Sequence, residues 1–197
     1  MAQEVFTLSE SVQGQYRDKG SRFLSFLFPC ADVDEFNGVL QDLKKEHFKA
    51  RHHCYSYRFG IKGSEFRAND DGEPAGSAGL PIYNQMLSAA ISDAGLIVVR
   101  YFGGTLLGVS GLIKAYKIAA QDAIEQANLI PLLERKLLRL EIADYSALNQ
   151  VLEASKRANI KVLERKIESP PFALLCQSAL SEEENQRIFS ITGVKLI

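Results

Sequence analysis

Four short segments carry residue types whose spacing could do chemistry, and all lie in the first two-thirds of the 197-residue chain. The most specific runs from Val98 to Tyr116. An apolar stretch, Val98-Val99-Arg100-Tyr101-Phe102, leads into Gly103-Gly104-Thr105-Leu106-Leu107-Gly108 and then into a helical pattern. Glycines at such a turn let the backbone take φ > 0 and bring its N–H groups close to a ligand. A helix N-terminus just beyond favours an anion. Arg100 at the strand end and Lys114 on the helix would neutralise a phosphate held at Gly103, Gly104 and Gly108. The same residues also suit a tight turn that needs glycine for geometry, with Arg100 in a structural ion pair. No Lys-Ser/Thr pair of a phosphate loop follows, so composition leaves the two readings even.

The second segment, Asp70-Asp71-Gly72-Glu73-Pro74-Ala75-Gly76-Ser77, places Asp70, Asp71 and Glu73 within four residues. Together they could hold a hard cation such as Mg²⁺ or act as acid and base. The plainer reading, a solvated turn with Ser77 capping the next helix, is preferred because no ligand spacing is imposed. The third, Lys49-Ala50-Arg51-His52-His53-Cys54-Tyr55, sits on a strand where His52 and Cys54 share one face and His53 points the other way. One further histidine, His47, and two remote cysteines are too few for a structural zinc site. Arg51 and His53 suit a cleft-facing basic pair; a partly buried strand histidine is the bland alternative. The fourth, Lys19-Gly20-Ser21-Arg22-Phe23, is a basic knot opening a strand, by itself an ordinary surface turn.

The elements that must position these segments divide the chain at about residue 130. Residues 1–130 begin with extended stretches at Glu4–Ser9 and Ser21–Pro29, separated by a polar segment from Gly14 to Gly20. Asp32 is placed to cap a helix whose Val33, Phe36, Leu40 and Leu43 fall on one face. His52–Phe59 reads as a strand and Gly60 ends it. A loop of about twenty residues, a length usually either functional or disordered, then leads to a helix from Gly79 to Ser92. A buried strand over residues 96–102 and a helix from Gly108 to Gln126 complete the domain. Residues 131–197 read as strand, helix, strand, strand, helix, strand, the ferredoxin-like βαββαβ order, with Ser181 capping the second helix. The fold class is α+β, in two domains, 1–130 and 131–197.

Lys and Arg number 23 against 24 Asp and Glu, a net charge of −1. No global positive field surrounds the molecule, which leaves only a local basic cleft for nucleic acid. Residues 1–130 carry 13 basic and 15 acidic side chains and residues 131–197 carry 10 and 9, a split too mild to choose a partner. Three widely spaced cysteines, Cys30, Cys54 and Cys176, fit a reducing compartment. The N-terminal residues have neither the basic nor the apolar region of a signal peptide, and no apolar run reaches the roughly 18–20 residues of a membrane span. A cytoplasmic protein without a membrane partner is expected.

In sequence, order and spacing these four segments together resemble the YigZ/IMPACT family. Val98–Gly108 is similar to its signature, an apolar strand followed by Arg-aromatic-aromatic-Gly-Gly and a further Gly. Lys19–Phe23, His53–Arg58 and Asp70–Pro74 fall in the family's order. The resemblance spans about residues 15–120, with Val109-Ser110-Gly111 standing where the family has a Gly-Gly pair and Lys114 where it has Arg. It implies an N-terminal domain like that shared by a small-subunit ribosomal protein and the GHMP kinases, and a ferredoxin-like C-terminal domain similar to those of the bacterial branch. It also implies a link to translational control, which its eukaryotic members exert.

Three functions are therefore carried forward. The leading one is a nucleic-acid- or ribosome-associated protein that regulates translation, with Arg22, Arg51, His53, Arg100, Lys114 and the glycine turn forming a phosphate-contacting cleft. No catalytic residue is assigned in this reading and no cofactor is required. The alternatives are a Mg²⁺-dependent enzyme acting on a phosphate ester or nucleotide in the same cleft, or a module that docks a protein of the translation machinery through Tyr101-Phe102.

Overall fold

The computed structural model describes residues 4–134 and 136–197. They separate into two compact units, Met1–Leu132 and Leu133–Ile197, each with its own core.

The first unit is built on a five-stranded antiparallel sheet in the order β2-β3-β6-β4-β5. Its strands are β2 (Val12–Asp18), β3 (Ser21–Pro29), β4 (His52–Phe59), β5 (Glu65–Asn69) and β6 (Ala94–Tyr101). β6 lies at the centre, and its apolar run follows from burial on both faces. One face is covered by α1 (Val33–Glu46), whose Phe36, Leu40 and Leu43 pack on Phe28, Tyr57, Ile97 and Val99. Asp32 caps this helix by accepting from the Glu35 N–H at 2.8 Å, as the sequence predicts. The other face carries α2 (Gly79–Ser88) and α3 (Gly108–Glu125), whose Ile82, Met86, Leu112 and Tyr116 pack with Phe23, Leu27, Leu96 and Val98. A two-stranded ribbon joins β1 (Phe6–Leu8) to β7 (Leu129–Pro131).

Three elements differ from the sequence reading. The polar separator from Gly14 to Gly20 is mostly strand: β2 pairs with β3 along its whole length, with Gly14 buried and Tyr16 half-buried while Gln13, Gln15 and Arg17 are exposed. The twenty-residue loop is shortened by β5, an edge strand exposed along nearly all its length, which pairs with β4. Helix α2 stops at Ser88 because Ala90 and Asp93 take positive φ values of 53° and 48°, which no helix accommodates.

The second unit is a four-stranded antiparallel sheet in the order β11-β8-β10-β9. It is formed by β8 (Lys136–Ile142), β9 (Lys161–Lys166), β10 (Phe172–Ser178) and β11 (Val194–Leu196). Two helices, α4 (Tyr145–Arg157) and α5 (Glu182–Ile188), complete the βαββαβ order of the ferredoxin-like pattern. Leu138, Leu140, Ile142, Val151, Phe172 and Leu174 form its core. Ser181 and Glu184 make the reciprocal capping box at the start of α5.

Candidate functional site

All four chemical segments meet in the first unit, on the α2/α3 side of the sheet. Register decides which side chains take part. In the β4–β6 and β3–β6 ladders, His52 and Phe23 both lie opposite Arg100, and directly opposed residues share a face. Arg100 therefore points toward α3, with its guanidinium 5.5 Å from the Phe23 ring centroid. There Nη1 donates to Glu73 Oε1 at 2.5 Å. Both side chains are almost wholly buried, 6% and 4% exposed. The Tyr116 hydroxyl donates to the same Oε1 at 2.9 Å. Cys54 Sγ lies 3.3 Å from that hydroxyl and 3.0 Å from the Asp70 carbonyl. Burial, and then the neighbouring Cys54 and Glu73, raise the Tyr116 pKa; burial likewise raises that of the Cys54 thiol.

At the outer end of this network stands His52, whose Nδ1 is 2.7 Å from the Asp71 carbonyl oxygen. A carbonyl only accepts, so Nδ1 donates to it, and Nε2 lies 3.9 Å from Glu73 Oε1. Ser21 completes the network: its Oγ accepts from the Gly103 N–H at 3.2 Å and lies 3.5 Å from Arg100 Nη2. Gly103 is glycine because backbone packs on backbone here. A Cβ added to it would lie 1.9 Å from the Gly20 carbonyl carbon and 2.2 Å from the Ser21 nitrogen.

Several sequence-predicted roles change accordingly. The structure pairs the Arg100 guanidinium with Glu73, the ion pair that was the alternative to a phosphate contact. His53 lies opposite Val99, on the α1 face; only its backbone N–H, which donates to Asp71 Oδ2 at 2.6 Å, reaches the loop. Burial holds its imidazole below the ordinary value. Lys114 is exposed, and two helical steps of about 100° turn it roughly 200° from Tyr116 and the network.

The three carboxylates do not converge into a Mg²⁺ site. Asp70 accepts from the N–H groups of Gly76, Ala78 and Gly79 at 2.8–2.9 Å, and so does the capping of α2 that Ser77 was expected to do. The Ser77 hydroxyl donates to the Pro74 carbonyl instead. Asp71 takes the His53 amide, and Glu73 faces Arg100. Among the described residues no group of three or more His, Cys, Asp and Glu side chains is arranged to hold a metal ion.

Gly104 and Gly108 have φ values of +85° and +71° with open space around them. The 18-residue α3 begins at Gly108 with no side-chain cap and no acidic residue in its first turn.

A second cluster lies on the α1 face at the same end of the sheet. Arg17 pairs with Arg22, Arg22 with Tyr101, and the Arg51 N–H donates to the Arg100 carbonyl at 2.9 Å. Arg17, Arg22 and Tyr101 thus form one row across three strands, and Arg51 lies just before β4, tied by its N–H to the β6 backbone at Arg100. The three arginines are exposed, and so are Lys19 in the β2–β3 turn and Lys49 before β4. None of the five has a carboxylate within 4.0 Å among the described residues. Tyr101 is held in the row by His47, whose Nδ1 is 3.0 Å from its hydroxyl. Arg17 was not singled out in the sequence; its signal was the alternation of β2, hidden in a polar segment.

The molecule so described is an α+β protein of two units, with a buried Arg–Glu–Tyr network beside a glycine turn and an exposed row of arginines nearby. The Impact N-terminal domain matches residues 19–124. The chain is 36% identical over 153 residues to the IMPACT family member YvyE of Bacillus subtilis, covering 77% of this chain and 69% of that protein. It is 37% identical over 110 residues to the IMPACT family member YigZ of Escherichia coli, covering 55% and 54% respectively. A crystal structure of a hypothetical protein superimposes with a TM-score of 0.83 at 26% identity, covering 100% of this chain and 98% of that one. The chain belongs to the IMPACT family. Among the described residues no helix is long and apolar enough to cross a membrane.

Proposed function

We propose that this chain acts in translation as an RNA- or ribosome-associated protein, and that it meets phosphate through the arginine row. Family membership supports the translational role, to which eukaryotic members are linked. The observation that carries the RNA contact is the set of exposed arginines at this end of the sheet: Arg17 and Arg22, paired across β2 and β3, and Arg51 just before β4, none with a carboxylate partner among the described residues. Arginine keeps its charge at every physiological pH and forks onto phosphate oxygens. Lys19 and Lys49, both exposed, extend the positive edge.

Co-sedimentation of the purified protein with ribosomes across a salt series tests this. The wild type is expected to pellet at low salt and to be released as salt rises. The Arg17→Ala, Arg22→Ala, Arg51→Ala triple variant should stay in the supernatant throughout. A wild type that never pellets, or a triple variant that pellets as well as wild type, would overturn the reading.

A further inference from the structure

The two edges of the five-stranded sheet end differently. At β2 the edge is covered by α3: the Gln15 N–H donates to the Asp122 carboxylate at 2.8 Å, and a Cβ on Gly14 would lie 2.5 Å from the Ala123 nitrogen. At β5 the backbone of Glu65–Asn69 hydrogen-bonds to β4 alone among the described residues. An unpaired strand edge is a template for another strand.

Register sorts the side chains of this edge by face. Glu65 and Arg67 lie opposite Phe59 and Tyr57, on the α1 side. Phe66 lies opposite Arg58 on the other side, where its ring stacks on Tyr83 of α2 with centroids 4.8 Å apart and planes at 23°. Leu80 and Leu87 stand three and four residues from Tyr83, on the same flank of the helix. Phe66, Leu80 and Leu87 are 55%, 50% and 47% exposed. The strand edge and the flank of α2 beside it therefore form one apolar strip that the unit leaves uncovered.

The charges on the opposite face decide what fits. Glu65 and Arg67 are exposed, and neither has an opposite charge within 4.0 Å among the described residues. A second copy of β5, antiparallel and centred on Phe66, sets Glu65 directly opposite the partner's Arg67 and Arg67 opposite the partner's Glu65, with about 5 Å between β-carbons. Centring the pair on Arg67 or on Glu65 instead would set two like charges face to face. The edge is thus complementary to itself in one register. A two-fold axis normal to the sheet keeps each face on its own side, so the two apolar strips meet across the same seam.

From this self-complementarity we infer that the β5 edge is a homodimer seam. Two copies pair antiparallel about Phe66 and join their sheets, with crossed Glu65–Arg67 pairs on one face and the Phe66, Leu80 and Leu87 strips packed together on the other.

Sedimentation velocity of the full chain over a concentration series tests this. The wild type is expected to dimerise within a series that reaches about 200 µM. Arg67→Glu and Glu65→Arg each turn both crossed pairs into like charges, and each should weaken dimerisation by roughly tenfold or more. The double variant Glu65→Arg, Arg67→Glu re-creates the pairs in reverse and should dimerise as wild type does, a recovery that loss of surface charge alone would not give. Leu80→Glu, Leu87→Glu should leave the protein monomeric with an unchanged circular dichroism spectrum, because both positions are exposed. A wild type that stays monomeric up to about 200 µM overturns the inference. So does a dimer that survives both single reversals, or one that the double reversal fails to restore, because its seam then lies elsewhere.

Discussion

Replacing Glu73 by Gln removes one charge from a pair in which both partners are more than nine-tenths buried. The change is nearly isosteric, so packing is preserved and the perturbation is electrostatic. The Arg100 guanidinium would then lie buried without a counter-charge, its remaining polar neighbour being the Ser21 hydroxyl at 3.5 Å. Breaking a buried pair from one side costs about 3–5 kcal/mol. The unit Met1–Leu132 has a melting entropy near 0.28 kcal/mol/K at about 2.1 cal/mol/K per residue, so each kcal/mol corresponds to about 3.6 °C. A drop in Tm of about 11–18 °C is expected, measured by calorimetry and checked by urea unfolding at fixed temperature.

The double variant Glu73→Leu, Arg100→Met tests the same reasoning from the other side. Removing both charges leaves no buried ion, and apolar replacement of a buried pair is often neutral. The double variant should therefore be more stable than Glu73→Gln alone. A Glu73→Gln protein that melts within about 3 °C of wild type, or a double variant no better than the single, would refute the claim that the buried Arg100 charge depends on Glu73.

Three further outcomes follow from the geometry. Gly103→Ala forces a Cβ into the Gly20–Ser21 backbone and should cost about 3 kcal/mol or more, whereas Gly104→Ala meets open space and should cost only the roughly 1–2 kcal/mol of its positive φ; similar losses by chemical denaturation would contradict this. Burial holds His53 below its ordinary value of 6.5, with Lys44 and His47 adding to the shift and Asp71 opposing it. The unfolded chain then binds more protons in the window below 6.5, so stability is fully present above that value and falls as pH drops through the window, and His53→Asn should flatten this slope in melts between about pH 5 and 7. All three cysteines are buried, with the Cys30 thiol pushed up to about 12 and those of Cys54 and Cys176 also raised by burial. A chromogenic thiol reagent should titrate none of them rapidly in the native protein and all three after unfolding.

Strong periodicity made the central elements readable. The apolar run of β6, the Phe36-Leu40-Leu43 face of α1 and the Ser181 capping box all stand in the structure where the sequence puts them. Edge strands were not readable. β2 turns one polar face to solvent, and β5 is exposed along nearly its whole length, so neither shows the apolar signal that burial writes into a sequence. The four chemical segments were visible by residue type, but their convergence was not. That depends on register: one residue along β4 separates His52, opposite Arg100, from His53 on the other face. Tyr116 carried a legible clue that went unread. It is the one aromatic side chain in a buried stripe with Leu112, Ala115, Ala119, Ala120 and Ala123, and a buried phenol hydroxyl must find a partner.

The net charge of −1 counts every surface charge equally, but a bound strand does not. At physiological salt a phosphate is screened from charges beyond about 8 Å, so it feels the row and little of the rest. Three exposed arginines at one end of the sheet are enough to attract it locally. The global balance still matters, because it removes long-range steering and makes the affinity depend on the few cations in contact. Binding should accordingly be weak at physiological salt. The slope of log K against log salt for a single strand should be about −2 if the three arginines alone make contact, and about −3.5 if Lys19 and Lys49 join them. Replacing Arg51 by Ala should lower that slope by about 0.7 on every single-stranded sequence tested. A wild-type slope steeper than about −6 would mean that most of the contacted phosphates lie elsewhere on the molecule, and that the row is only the margin of a larger surface.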